Sequence, residues 1–154
     1  MNIVLFRIDD RCIHGQIIQG WKGLEYQHIV VINDEIAKDK MSKQLQLISV
    51  PDGITVYFYN TKEIPDMIRD QAQNTRRTII LVRNVEDALL VVQNGVKVDR
   101  LNLGVMSCNS SRTHVVNNAV YVSPEELELL KQIAGMGIRV EAQGVERDTA
   151  VKLF

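Results

Sequence analysis

The chain has 154 residues, 45% apolar and 24% charged, with a formal net charge of −1. That length, residues 1–154, suits one ordinary domain whose core needs neither disulfide nor metal. The charge balance argues against a protein that works by neutralising nucleic-acid phosphates, and no run of about 18 apolar residues is present to span a membrane.

The first residues do not read as a signal peptide, because the apolar run Ile3–Phe6 is short and charges follow at once. Asn2–Phe6 reads instead as a strand, followed by a helix over Gly15–Gly23. Further strands are expected at His28–Asn33, Thr55–Tyr59, Thr78–Val82 and Arg100–Leu103, with helices at Asp39–Ser49, Lys62–Ala72 and Val85–Asn94. The strands are mostly continuous Val/Ile runs, as strands covered on both faces should be. In the helix from Val85, Asn84 suits the N-cap and Gly95 the position after the end.

The remainder differs. Thr113–Val116 and Ala119–Val122 are short strand candidates around Asn117-Asn118. Ser123-Pro124-Glu125-Glu126 is a strong helix start, and that helix should end near Gly135 or Gly137. Ile138, Val140 and Ala142 alternate with polar residues, which predicts a half-exposed strand toward the sheet edge. The expected fold is α/β: an open, mostly parallel sheet with helices on both faces and an antiparallel strand toward one edge. Chemistry in such sheets sits outside the carboxyl ends of the strands.

One of those loops is chemically dense. Arg7-Ile8-Asp9-Asp10-Arg11-Cys12-Ile13-His14-Gly15-Gln16 holds two arginines, two aspartates and a histidine between a strand and a helix. Arg7 and Arg11 can grip phosphate oxygens in bidentate fashion. An aspartate can hydrogen-bond one imidazole nitrogen and so fix which nitrogen keeps its lone pair. Free N–H groups at a helix start favour an anion. A neutral, nucleophilic imidazole beside an anion site is what reversible phosphohistidine chemistry needs.

RIDDRCIHGQ followed by Trp21 resembles the signature RIDDRxIHGQ…W of the mannose/fructose/sorbose-type IIB subunits of sugar phosphotransferase systems (PTS). The likeness continues through VVINDEIAKDKMSKQLQL, ILVRNVEDALLVVQNG, LNLG and AVYVSPEELELLKQIAGMGIRVEAQGV, so it covers essentially the whole chain. It implies a phosphocarrier without cofactor or metal, in which His14 accepts phosphate from a IIA phosphocarrier protein. The phosphate then passes to a sugar moving through a IIC/IID membrane permease. Asp10, Arg7 and Arg11 match charged residues of the family's active-site loop. A cytoplasmic chain associated peripherally with its permease is implied, and a homodimer would suit the family. The sugar is expected to be selected by the membrane partner. The chain departs from the family at Cys12, commonly Leu, and at Val105, where a second glycine commonly follows LN(I/V)G.

Other features are weaker. Cys12 and His14 could be read as a thiol–imidazole dyad, but a cysteine hydrolase is the weaker reading of this loop. Cys12 and Cys108 lie far apart, as in a protein of a reducing compartment, and with three scattered histidines they give no metal-ligand spacing. Gly15–Gly20 lacks the G-x-G spacing of a dinucleotide loop. Trp21 reads as a packing anchor. Arg112, in the polar loop Gly104–Arg112, is expected to face an incoming phosphorylated partner. A IIB-like regulatory module phosphorylated at His14 without sugar transport, and a flavodoxin-like small-molecule binder, are the competing readings.

Overall fold

A computed structural model describes all residues, 1–154. The strands are β1 (Asn2–Asp9), β2 (His28–Ile32), β3 (Thr55–Tyr59), β4 (Arg77–Val82), β5 (Arg100–Val105), β6 (His114–Val115), β7 (Tyr121–Val122), β8 (Arg139–Ala142) and β9 (Val151–Lys152). The α-helices are α1 (Gly15–Gly20), α2 (Asp34–Lys38), α3 (Lys40–Leu47), α4 (Ile64–Gln71), α5 (Val85–Gln93) and α6 (Pro124–Gly135). Seven strands form one sheet in the order β3-β2-β4-β1-β5-β8-β9, parallel except for β9, while β6 and β7 pair separately. No helix is long and apolar enough to cross a membrane.

The expected α/β architecture is present, with two differences in detail. The antiparallel edge strand is Val151–Lys152, and the alternating segment Arg139–Ala142 lies one place inside it, parallel to β5. Val151–Lys152, followed by only Leu153 and Phe154, shows no alternation of its own in the sequence. The short helix α2 was likewise not expected; Asn33 caps it by accepting from the Ile36 N–H, and Asp39 then caps α3 through Met41 and Ser42.

Period-two alternation splits the sheet between two cores. Phe6, Ile8, Val30, Ile32, Ile80 and Val82 face α4, α5 and α6, whereas Leu5, Ile29, Val31, Ile79 and Leu81 face α1. α1 ends at Gly20 rather than Gly23. A Cβ at Gly20 would run into Val145, so the close crossing of the Val145 loop requires a glycine there.

Strand order also locates the site. From β1 the chain crosses to β2 on one side, and from β5 it crosses to β8 on the other. The carboxyl ends of β1 and β5 therefore flank the point where the winding reverses, the usual crevice for a ligand.

At the carboxyl end of β4, Asn84 caps α5 by accepting from the Asp87 N–H, and its side-chain amide donates to the Asp87 carboxylate. Burial pushes the Asp87 pKa up to about 6, above the ordinary carboxylate value, while the bond from Asn33 opposes the rise. Between the unfolded and folded pKa values the folded protein binds the extra proton, so stability falls as pH rises through this window. Asp87→Asn should therefore stabilise the protein at pH 7.5 by roughly 1–3 kcal/mol. The gain should shrink below pH 6 and vanish below about pH 4, as read from urea unfolding at several pH values.

Candidate functional site

β1 is longer than its apolar run. It continues through Arg7-Ile8-Asp9, so Arg7 and Asp9 lie in the sheet and point to the α1 side, opposite Ile8. Both are fully buried. A buried arginine needs acceptors for its guanidinium donors. Arg7 Nε and Nη2 both donate to Asp9 Oδ2, at 3.2 and 2.9 Å. Nη1 donates to Asn102 Oδ1 at 2.8 Å and to the carbonyls of Gln143 and Gly144. Trp21 lies 5.9 Å from the guanidinium and donates its own N–H to the Gly144 carbonyl. Gly104 completes the cage, because a Cβ there would overlap the Arg7 guanidinium.

This cage presents Asp9 to His14. Asp9 Oδ2 lies 2.9 Å from His14 Nε2, while Oδ1 accepts from the Arg11 N–H at 3.0 Å. The carboxylate accepts, so Nε2 carries the proton and Nδ1 of the neutral ring keeps its lone pair. The backbone between them is a tight turn, with the Cys12 N–H bonded to the Asp9 carbonyl and Cys12 at a left-handed φ of 56°. His14 is the N-cap of α1 and makes no side-chain cap bond, which leaves the first N–H groups of α1 without an intrahelical acceptor. From outside, Gln46 of α3 pins the loop. Its Oε1 accepts from the Ile13 N–H and its Nε2 donates to the Arg11 carbonyl.

The four residues singled out in the sequence occupy different places. His14 stands partly exposed at the loop's end, and the Arg11 side chain is exposed. Arg7 cannot reach a phosphate in solvent, because it is sealed beneath Trp21 and committed to Asp9. Burial draws its pKa below the ordinary arginine value, with Asp9 opposing. Asp10 does not touch His14. Its Oδ2 accepts from the Ser107 N–H at 2.6 Å and from Arg112 at 3.3 Å.

Asp9, the carboxylate that does meet the imidazole, was not singled out. Of two adjacent aspartates at a strand end, only the one facing α1 reaches His14, and the strand's true length decides which that is. Arg112 is a second correction. It does not await a partner, because Nε and Nη2 bind Glu126, and Nη1 binds Asp10 and the Ser107 carbonyl. Burial works against that charge, but Glu126 and Asp10 outweigh it and raise the Arg112 pKa. The exposed Ser107–Ser111 loop is thereby tied to the His14 loop. Cys12 is fully buried and burial pushes its thiol pKa far up, so it is no nucleophile.

The chain matches the family described as "PTS system sorbose subfamily IIB component" over residues 3–154. It is 33% identical to the mannose-specific EIIAB component of Escherichia coli K12, over 100% of this chain and 48% of that protein. The chain thus spans about half the length of that relative. It is 31% identical to the N-acetylgalactosamine-specific phosphotransferase enzyme IIB component 2 of the same organism, covering 99% of this chain and 97% of the other. Its fold superposes on the crystal structure of the IIBSor domain of the sorbose permease from Klebsiella pneumoniae. The TM-score is 0.89 at 26% identity, over 98% and 93% of the two chains.

Arg7 and Arg11 should separate cleanly on substitution. Arg7→Met leaves the buried Asp9 charge without its partner and should cost roughly 3–5 kcal/mol in urea unfolding. Arg11→Ala, on the surface, should stay within about 0.5 kcal/mol of the parent.

Proposed function

The chain belongs to the sorbose subfamily of PTS IIB components, and on that premise we propose that it is a phosphohistidine carrier. His14 takes a phosphoryl group from a phosphorylated IIA protein and passes it to a sugar entering through a IIC/IID permease. The chain works on the cytoplasmic side, against that permease. The observation that carries this reading is the 2.9 Å contact between Asp9 Oδ2 and His14 Nε2. It leaves Nδ1 as the nucleophile and holds the ring in one tautomer.

The step balances without an external acid or base. The donor is a phosphohistidine protonated on its second ring nitrogen. The Nδ1 lone pair of His14 forms the new P–N bond as the donor's P–N bond breaks. The electron pair of the broken bond stays on the donor ring, which leaves as a neutral imidazole. His14 keeps its Nε2 proton, and the positive charge of the phosphorylated ring lies against Asp9. Bond types are the same on both sides, so the exchange is nearly isoenergetic and the protein's task is positioning and charge stabilisation.

Arg11 and the free N–H groups at the start of α1 hold the phosphoryl oxygens. Arg7 acts through Asp9 and is a positioning residue. Asp10 acts through Arg112 by holding the Ser107–Ser111 loop against the His14 loop.

Incubation with a phosphorylated IIA protein should load one acid-labile, base-stable phosphate on the parent chain, and mass spectrometry should find none on His14→Ala. Undiminished uptake in that variant would refute the carrier role. Arg11→Lys keeps the charge but loses the bidentate fork. At a loss of roughly 1.5–3 kcal/mol for one charge-assisted hydrogen bond, transfer should slow about tenfold or more.

A further inference from the structure

Four backbone N–H groups lie between Asp9 and His14, those of residues 10–13, and each has a partner. Asp10 donates to the Val105 carbonyl, Arg11 to Asp9 Oδ1 and Cys12 to the Asp9 carbonyl. Those acceptors belong to β1 and β5. The remaining group, Ile13, donates to Gln46 Oε1 at 2.8 Å, and Gln46 Nε2 donates to the Arg11 carbonyl at 3.1 Å. One side chain from α3, 33 residues on from Ile13, thus holds the backbone on both sides of Cys12.

Cys12 is where the turn needs holding. Its φ of 56° lies in the left-handed region, which residues with a side chain avoid unless their surroundings fix them there. Cys12 and Ile13 are both buried in the core they share with Ile17 and Trp21. Neighbours on an extended chain would point to opposite sides, so the chain has to turn between them. His14 follows directly. Asp9 fixes the ring at Nε2, but the direction of Nδ1 also depends on where the His14 backbone stands.

A surface helix ordinarily turns its apolar stripe to the core. α3 does the opposite. Met41 and Leu45 are 68% and 61% exposed, whereas Ser42, Lys43 and Gln46 are half-buried against the body. Lys43 lies over the Phe58 ring at 6.0 Å, and Gln46 reaches the His14 loop. No residue of α3 is buried, so apolar packing does not account for the place of Gln46, and its two hydrogen bonds do.

We propose that Gln46 is a positioning residue for phosphoryl transfer. Through the Arg11 carbonyl and the Ile13 N–H it holds Cys12 left-handed, and so aims Nδ1 of His14 at the incoming phosphorus. Its hydrogen bonds go only to backbone groups, so its influence on the imidazole is indirect. The proposal rests on the carrier reading of His14. Without Gln46 the turn relaxes toward commoner backbone conformations, and the ring samples orientations that do not react. The saturated transfer rate falls, and the donor concentration at half-saturation stays where it was.

The test uses Gln46→Met, which keeps the length of the side chain and removes both bonds, assayed where urea unfolding shows parent and variant fully folded. Quench-flow transfer from a phosphorylated IIA protein is read against donor concentration. The saturated rate should drop about tenfold or more, since a misplacement of about 1 Å is worth on the order of a hundredfold. Half-saturating donor should be unchanged. Nitrogen-15 NMR of the His14 ring, assigned by its loss in His14→Ala, gives a second reading without any donor. The parent should show the Nε2–H tautomer alone, and the variant a mixture with the Nδ1–H form. Gln46→Glu keeps the acceptor for Ile13 and should lie between the two; if Gln46→Met does not fold, it decides by the same readings. Equal saturated rates in parent and variant overturn the proposal. So does an effect confined to half-saturating donor, which would make Gln46 a docking residue. A slow variant with the parent's ring signals also overturns it, because the ring would then stand as before. A parent that no phosphorylated IIA protein charges fails the carrier reading and this proposal with it, whereas an unaffected variant of a charged parent fails this proposal alone.

Discussion

The buried pair Arg7–Asp9 is the constraint on which the rest of the site depends. A guanidinium and a carboxylate, both without solvent contact, sit inside a sheet otherwise lined by Val, Ile and Leu. Removing two ions from water costs several kcal/mol each, and their attraction repays this only where further hydrogen bonds satisfy the remaining donors. Asn102, the carbonyls of Gln143 and Gly144, and the face of Trp21 provide those bonds and that packing. The adjacent strands β1 and β5, with the turn after β8, are thus built around one arginine. Gly104 is the residue that leaves it room.

That cost has a functional return. Asp9 is held from one side by Arg7 and from the loop by the Arg11 N–H, so its orientation is fixed before any ligand arrives. A carboxylate with no freedom to turn gives the imidazole one tautomer and one orientation. For the proposed phosphoryl transfer, which is nearly isoenergetic, rate would come from geometry held in advance. Two further anchors reach the same loops. Gln46 fixes the turn from α3, and the Arg112–Asp10–Glu126 cluster fixes the loop after β5. The His14 loop is therefore clamped from the sheet beneath, from one flanking helix and from one flanking loop.

The sequence by itself determined the order and type of the main elements. Val/Ile runs alternate with helical spacing, and the Ser123–Glu126 capping box reads without ambiguity; the structure has both of its reciprocal bonds. It also determined that the chemically dense segment sits at the end of the first strand, because composition there changes within a few residues from Val-Leu-Phe to Arg and Asp. The family was legible from the same segment and is borne out by the match over residues 3–154. Tertiary structure decided what local pattern cannot carry. β1 runs three residues beyond its apolar stretch, and the acceptors that Arg7 needs besides Asp9 lie in β5 and in the turn after β8, 95 and 136 residues away. That extension sets the side-chain alternation, and the alternation points Asp9 to His14 while Asp10 joins Arg112. Neighbours in sequence cannot tell one of two adjacent aspartates from the other, since the difference lies in which face of the sheet each meets. The edge strand Val151–Lys152 and the burial of Arg112 have the same origin, in contacts made by segments far apart along the chain.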